Sequence, residues 1–385
     1  MGMVAAAVCA VPLGAEPRWV SLFRYLATAC GSLHWMFTRV REFVWLLGLI
    51  LAACGGPAAP QPWPTEFPPN PEDGAHFDGV RDPYYEGWYH KISLPEKHEA
   101  FFFIYTVVNP APDSAYPAEA FLYCGQASSL ETVYQPFPVD AYRAQAGYRD
   151  VRIGETARAT ALRFAGEAED AGGSCRWDVW LTHNLAWTET MGWLTGQAGL
   201  ETSWTVGSLR AEAAGWIEFN GERFTFDGVP AYGDHNWGSV FPRQWFWLQA
   251  NDFPSGEAAL AASGGTVQFG DTELEAEMIG LWLDGTHHTF RTQDLDQVEA
   301  KTAKGAWTIR AEKDLERITI EAACVADEMF HLLAPTPDGV QPRAWESLLG
   351  SVDVRLEQRD QPDGTWRVVF EETSANAGVE VGLEP

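Results

Sequence analysis

Two carboxylic acids in this sequence sit among aromatic residues in a way that suits them to proton donation. Glu86 falls within Tyr84-Tyr85-Glu86-Gly87-Trp88-Tyr89, shortly after His76-Phe77-Asp78-Gly79, and Asp234 falls within Tyr232-Gly233-Asp234-His235-Asn236-Trp237-Gly238. A carboxyl walled by apolar rings loses the hydration that favours its anion, so its pKa rises and it stays protonated longer. The faces of the same rings stabilise a nearby positive charge. Asp234 is the first choice for general acid, Glu86 is the second, and His235 is a candidate proton relay. If residues 243–251 form one strand, Arg243, Trp245, Trp247, Gln249 and Asn251 share a face. That face mixes aromatic wall with polar anchors, as a pocket for an amphiphile needs. Trp88, Tyr89, Tyr232, Asn236 and Trp237 complete the candidate binding set. The competing reading is structural: Trp and Tyr are common in β barrels, and any one of these rings can simply be core. Arg243 can equally close a barrel end through an ion pair with Glu86 or Asp234.

The elements that must position these residues read as β almost throughout. Short runs rich in aromatic and β-branched residues recur, among them Phe101–Val108, Glu119–Cys124, Arg176–His183, Gly280–Leu283 and Thr365–Phe370. Asn220-Gly221 between Trp216–Phe219 and Glu222–Phe226 predicts a two-residue hairpin, because both residues accept the positive φ of a type I′ turn. Asp284-Gly285 predicts a second one. Arg343–Gly350 reads as a short helix. Many short strands separated by turn signals favour an all-β barrel or sandwich. The length fits two barrel-like halves, 72–210 and 211–385, with little helix.

Composition removes several function classes. The chain carries 26 Lys+Arg against 53 Asp+Glu, a net charge of -27, so it repels phosphate backbones and is not expected to bind nucleic acid. The 46% hydrophobic content supplies a sizeable core rather than a disordered chain. No GxGxxG, Walker loop, GxSxG or HExxH occurs in the sequence. His287 and His288 are adjacent and point to opposite faces of a strand, which suits a polar pair at a turn better than metal ligation. No metal site is expected.

The N-terminus predicts export. Arg39 and Arg41 precede an apolar run, Phe43–Leu51, that is too short to span a bilayer. Leu51-Ala52-Ala53-Cys54 then resembles the lipobox of bacterial lipoproteins, which makes Cys54 the lipidated first residue of a mature protein. Residues 1–53 are read as leader, with Met36 as the true start, and residues 54–71 as a Pro-rich tether. The expectation is an exported bacterial lipoprotein, membrane-anchored on the periplasmic or outer face. Cys124, Cys175 and Cys324 then remain and allow at most one disulfide.

Taken together, the two aromatic segments resemble the tocopherol cyclase family. The likeness rests on the Glu86-Gly-Trp-Tyr89 opening, the hairpin Gly215-Trp-Ile-Glu…Gly221-Glu-Arg-Phe224, the Asn236-Trp-Gly238 turn and Phe241-Pro-Arg…Trp245-Phe-Trp247…Gln249…Asn251. It is dense over 76–110 and 215–265. The plant-type pattern keeps an acidic residue at the position of Asp234 but no histidine at that of His235. The resemblance implies a lipocalin-like double-barrel fold, distantly similar to carotenoid hydratases, which protonate an isolated alkene. It implies ring closure on a prenylated hydroquinol: the phenol oxygen adds across the nearest side-chain double bond to form a chromanol, without metal or redox cofactor. Such a reaction needs a neutral acid, aromatic walls for the tertiary cation, excluded water and a held phenol. Two rival functions stay open: a non-catalytic lipocalin-like lipoprotein that carries an isoprenoid or other lipid, and an alkene hydratase.

Overall fold

In the computed structural model, residues 62–65 and 70–383 are described. The expected leader, the lipid site Cys54 and much of the tether lie outside the described residues. Eleven strands form the first sheet: β1 (Tyr84–Leu94), β2 (Glu99–Asn109), β3 (Glu119–Gln126), β4 (Glu131–Pro138), β5 (Tyr142–Ala144), β6 (Asp150–Ile153), β7 (Ala157–Thr160), β8 (Arg163–Asp170), β9 (Gly173–Trp187), β10 (Thr202–Phe219) and β11 (Glu222–Gly238). Ten form the second: β12 (Trp245–Ala250), β13 (Ala258–Phe269), β14 (Thr272–Leu283), β15 (Thr286–Arg291), β16 (Gln297–Ala303), β17 (Ala306–Lys313), β18 (Glu316–Ala323), β19 (Phe330–Thr336), β20 (Gly339–Gln358) and β21 (Arg367–Gly382). The first is ordered β4-β3-β2-β1-β11-β10-β9-β8-β7-β6-β5 and the second β15-β14-β13-β12-β21-β20-β18-β17-β16, with β19 beside β20. These pairings are antiparallel. All of them belong to one unit, Trp63–Pro385.

The all-β, two-half barrel architecture expected from the sequence is the one that forms. Among the described residues helix is confined to three-residue 3-10 turns such as Gly192–Leu194. Both hairpins form in the expected register, Phe219 opposite Glu222 and Leu283 opposite Thr286. Their turn residues Asn220, Gly221, Asp284 and Gly285 all have positive φ. Residue 210 lies inside β10, so the chain passes from one sheet to the other later, between Gly238 and Trp245. Arg343–Gly350 is not a helix: it is the middle of β20, pairing with β19 and β21. The pairing overrides a local composition that suits either structure.

Alternation sets the layers. On β1 and β11 one face fills the first half's interior with Trp88, Ile92 and Ala231 beside Phe101, Phe103 and Trp177. On β12 and β21 Phe246, Leu248, Val379 and Val381 fill the second. The opposite faces of the same strands meet each other, with Trp204, Tyr232 and Trp247 in one cluster and Tyr85, Phe102, Trp245 and Leu332 in another. Cys124, Cys175 and Cys324 are free thiols, the first two buried.

Candidate active site

A partly open cavity lies where the two sheets meet. The first sheet contributes Tyr89, Trp204, Asp234 and Asn236, and the second contributes Trp245, Trp247, Glu346 and Glu380. Ile104, Met191, Met278 and Leu332 give it apolar walls.

Asp234 is the buried acid of this cavity. Its Oδ2 accepts hydrogen bonds from Trp204 Nε1 at 3.0 Å, Tyr232 OH at 2.9 Å and Trp247 Nε1 at 3.0 Å. Its Oδ1 has no hydrogen-bond partner among the described residues. Burial pushes its pKa up to about 6 against the pull of the three donors. The arrangement fixes the carboxyl in one orientation and leaves the free oxygen as the position for a transferable proton. Trp247 packs edge-on against Tyr89 and Tyr232, with ring centroids 5.4 and 5.6 Å away.

Two more carboxyls share the cavity. Tyr89 OH donates to Glu346 Oε1 at 2.6 Å, and Trp245 Nε1 donates to Glu380 Oε1. Burial holds Glu346 well above the usual carboxylate range and pushes Glu380 up to about 7. The two tryptophans lie flat over β21 because glycine stands beneath each. A Cβ on Gly378 would meet the Trp247 ring at 2.5 Å, and one on Gly382 the Trp245 ring at 2.1 Å. Gly378→Ala therefore displaces Trp247 or bends β21, and is expected to destabilise the protein by about 1–3 kcal/mol. Guanidinium unfolding measures it; a change below about 0.5 kcal/mol would show that the ring moves freely.

The other predicted residues separate by face. Glu86 and Asp234 lie on opposite sides of the first sheet, because Tyr89, not Glu86, is the β1 residue opposite Asp234. Glu86 points into the first half and is fully buried. Its Oε1 accepts from the His76 backbone N–H at 2.7 Å and lies 3.1 Å from His235 Nε2, and its Oε2 accepts from Phe77 N–H and Tyr142 OH at 2.9 and 3.2 Å. His235 faces the same way, with Nδ1 2.9 Å from the Glu72 carbonyl. It is not placed to relay a proton to Asp234, since neighbouring strand residues point to opposite faces. Its ring stacks on Trp88 at 4.2 Å, and His76 stacks on Trp237 at 4.0 Å. Trp88 and Trp237 therefore belong to this second cluster and not to the cavity. Ligand atoms of His76, Glu86 and His235 lie within 4.8 Å of one another, a separation a metal ion can bridge. Each Glu86 oxygen already takes two hydrogen bonds, which leaves that carboxylate saturated.

On the 243–251 segment, Trp245 and Trp247 line the cavity and Gln249 follows them on the same face. Gln249 Oε1 accepts from the buried Lys91 ammonium at 3.3 Å. Asn251 Nδ2 donates to the Ala231 carbonyl at 2.7 Å and ties strands together. Arg243 is exposed and makes no ion pair with Glu86 or Asp234. Trp204, Glu346 and Glu380 escaped the sequence reading. The signal for Glu380 was a lone acid inside Gly378-Val-Glu-Val381, where alternation would otherwise leave an apolar or solvated residue.

Comparison with known proteins gives a family match and weaker structural likenesses. The family model for tocopherol cyclase-like proteins matches residues 122–383. The chloroplastic tocopherol cyclase of Zea mays is 27% identical over 370 residues, covering 82% of this chain and 78% of the maize protein. Among solved structures, CghA aligns with a TM-score of 0.48 and 13% identity over 85% of this chain and 96% of its own. Kievitone hydratase from Nectria haematococca aligns with a TM-score of 0.44 and 11% identity over 77% and 88%.

Proposed function

Because this chain belongs to the tocopherol cyclase-like family, we propose that it closes a ring on a prenylated hydroquinol by protonating an alkene, with Asp234 as the acid. One observation carries this reading: a buried carboxyl with one oxygen held by three ring donors and the other unpartnered in an aromatic cavity. Asp234 Oδ1 gives its proton to the less substituted alkene carbon, and the neighbouring carbon becomes a tertiary cation. Trp204, Trp247 and Tyr89 supply aromatic rings around that charge. The phenol oxygen then bonds to the cationic carbon, and exclusion of water keeps hydration from competing. No redox change occurs, so the residues at the site suffice without a cofactor. Glu86 and His235 have a structural role in the first half.

Membrane attachment belongs to the same proposal. An isoprenoid tail leaves a bilayer only at high cost, and acylation of Cys54 behind the Pro-rich tether would hold the folded part beside its substrate. This supports an exported lipoprotein.

The deciding experiment incubates the full chain, in mild detergent, with a phytyl hydroquinol under anaerobic conditions in 18O-labelled water. A chromanol of unchanged mass, separated from the hydroquinol by retention time, is the expected product. Product carrying 18O would instead make the protein a hydratase. Stoichiometric hydroquinol binding without product would make it a lipid carrier.

A further inference from the structure

The carboxyls of Glu346 and Glu380 take no part in protonating the alkene, yet they are the cavity's other chemically armed groups. They stand directly opposite each other on β20 and β21. Each is held through one oxygen by a ring donor, Tyr89 OH and Trp245 Nε1. Glu346 is 1% exposed, and its Oε2 has no hydrogen-bond partner among the described residues. The charged and titratable groups that bear on the pair include Tyr89, Tyr123, Asp234 and Lys91, and the buried Arg343 guanidinium lies 5.4 Å over the Trp245 ring that donates to Glu380. Lys91 spends its ammonium on Ser93 Oγ, Gln249 Oε1 and the Asn376 carbonyl, and no ion pair joins it to either glutamate among the described residues.

Two facing carboxyls in a poorly hydrated site without a bonded cation do not both ionise; they retain one proton between them and titrate as a unit. A singly protonated pair is both anionic and hydrogen-bonding, which suits it to receive a proton from a neutral hydroxyl. We propose that the Glu346–Glu380 pair is the base of the reaction, taking the proton of the attacking hydroxyl on the wall opposite Asp234. This rests on the reading of Asp234 as the acid. The atoms balance: Asp234 loses a proton to carbon, the π bond breaks, the hydroxyl oxygen forms the C–O bond and its O–H proton passes to the pair. When the product leaves, the pair releases one proton to solvent and Asp234 regains one. The net change in the substrate is isomerisation.

The anchoring of the two centres supports this division. Trp245 and Trp247 project from the same face of β12, and the first donates to Glu380 while the second donates to Asp234. The donors of one strand thus orient the group that gives a proton and the group that takes one.

The test compares Glu346→Gln, Glu380→Gln and the double variant in the full chain, using kcat and KM for the phytyl hydroquinol across pH together with infrared spectra of protonated carboxyls. The double variant is expected to lose about 10²-fold or more in kcat with KM nearly unchanged, and the low-pH limb of the rate profile should vanish. Each single variant keeps one carboxyl and loses less. Glutamine preserves shape, and near-UV circular dichroism verifies the fold. A double variant that keeps its kcat, or loses rate with the same pH profile, reduces the pair to cavity wall and overturns the proposal. If the wild type turns over no hydroquinol, the cyclase reading fails and the base role fails with it. The infrared spectra then decide separately whether the pair holds a proton: loss of one protonated-carboxyl band in the double variant supports sharing, and an unchanged spectrum refutes it.

Discussion

Asp234→Asn is expected to lower hydroquinol turnover by about 10²–10⁴-fold while leaving binding of the hydroquinol near its wild-type value. Asparagine keeps an acceptor oxygen for the indole and phenol donors of Trp204, Trp247 and Tyr232 but has no acidic proton to place on carbon. A loss confined to kcat therefore separates proton donation from packing. The pH dependence has a definite sign. The acid works only when protonated, and burial raises its pKa to about 6, so its contribution is full below that value and declines as pH rises through it. Because the proposed base must be ionised and Glu380 is raised to about 7, the wild-type rate should fall tenfold per unit only above about 7, where the base is already ionised and Asp234 goes on losing its proton. Turnover of Asp234→Asn at the wild-type rate would remove this residue from the chemistry, whatever the family assignment.

The second large effect is on stability and lies on the far face of the same sheet. Both ring nitrogens of His235 face acceptors, the Glu72 carbonyl and Glu86 Oε1, at 2.9 and 3.1 Å. The two residues thus form a fully buried, hydrogen-bonded pair. Removing His235 leaves the buried Glu86 carboxylate only the neutral donors of His76, Phe77 and Tyr142, at a cost of up to about 3–5 kcal/mol. His235→Ala should show that loss in guanidinium unfolding. Adding Glu86→Gln should recover part of it, because the stranded charge is then gone. A penalty under about 1 kcal/mol would mean that water reaches the gap and hydrates Glu86.

How far the sequence could be read follows from these two sites. The hairpins were legible because Asn220-Gly221 and Asp284-Gly285 occupy conformations few other residue pairs tolerate. The shared face of Trp245, Trp247 and Gln249 was legible because a strand of known span has only two faces. Which face meets the cavity was not, since it depends on pairing partners distant in sequence. Glu86 and Asp234 look alike by composition, and only the register of β1 on β11 sends one inward and the other toward the second sheet. Trp204 was hidden for a related reason: β10 shifts register between Thr205 and Ser208, which alternation alone does not reveal. Glu346 was lost inside Arg343–Gly350, where Ala, Glu and Leu favour a helix until β19 and β21 claim the backbone. Arg243 shows the reverse error: a conspicuous charge beside an aromatic strand proved to lie outside it.

The pairing of Trp245 with Glu380 and of Trp247 with Asp234 also works as a ruler. Two residues of extended chain span roughly 7 Å, a length fixed by the pleat and insensitive to side-chain substitution. On the proposed roles, the group that gives the proton and the group that takes it are both oriented from one strand, two residues apart. Substrates with a longer reach between hydroxyl and alkene would be poorly served even where the cavity admits them. Retuning that selectivity would call for a bulge in β12 rather than a larger pocket.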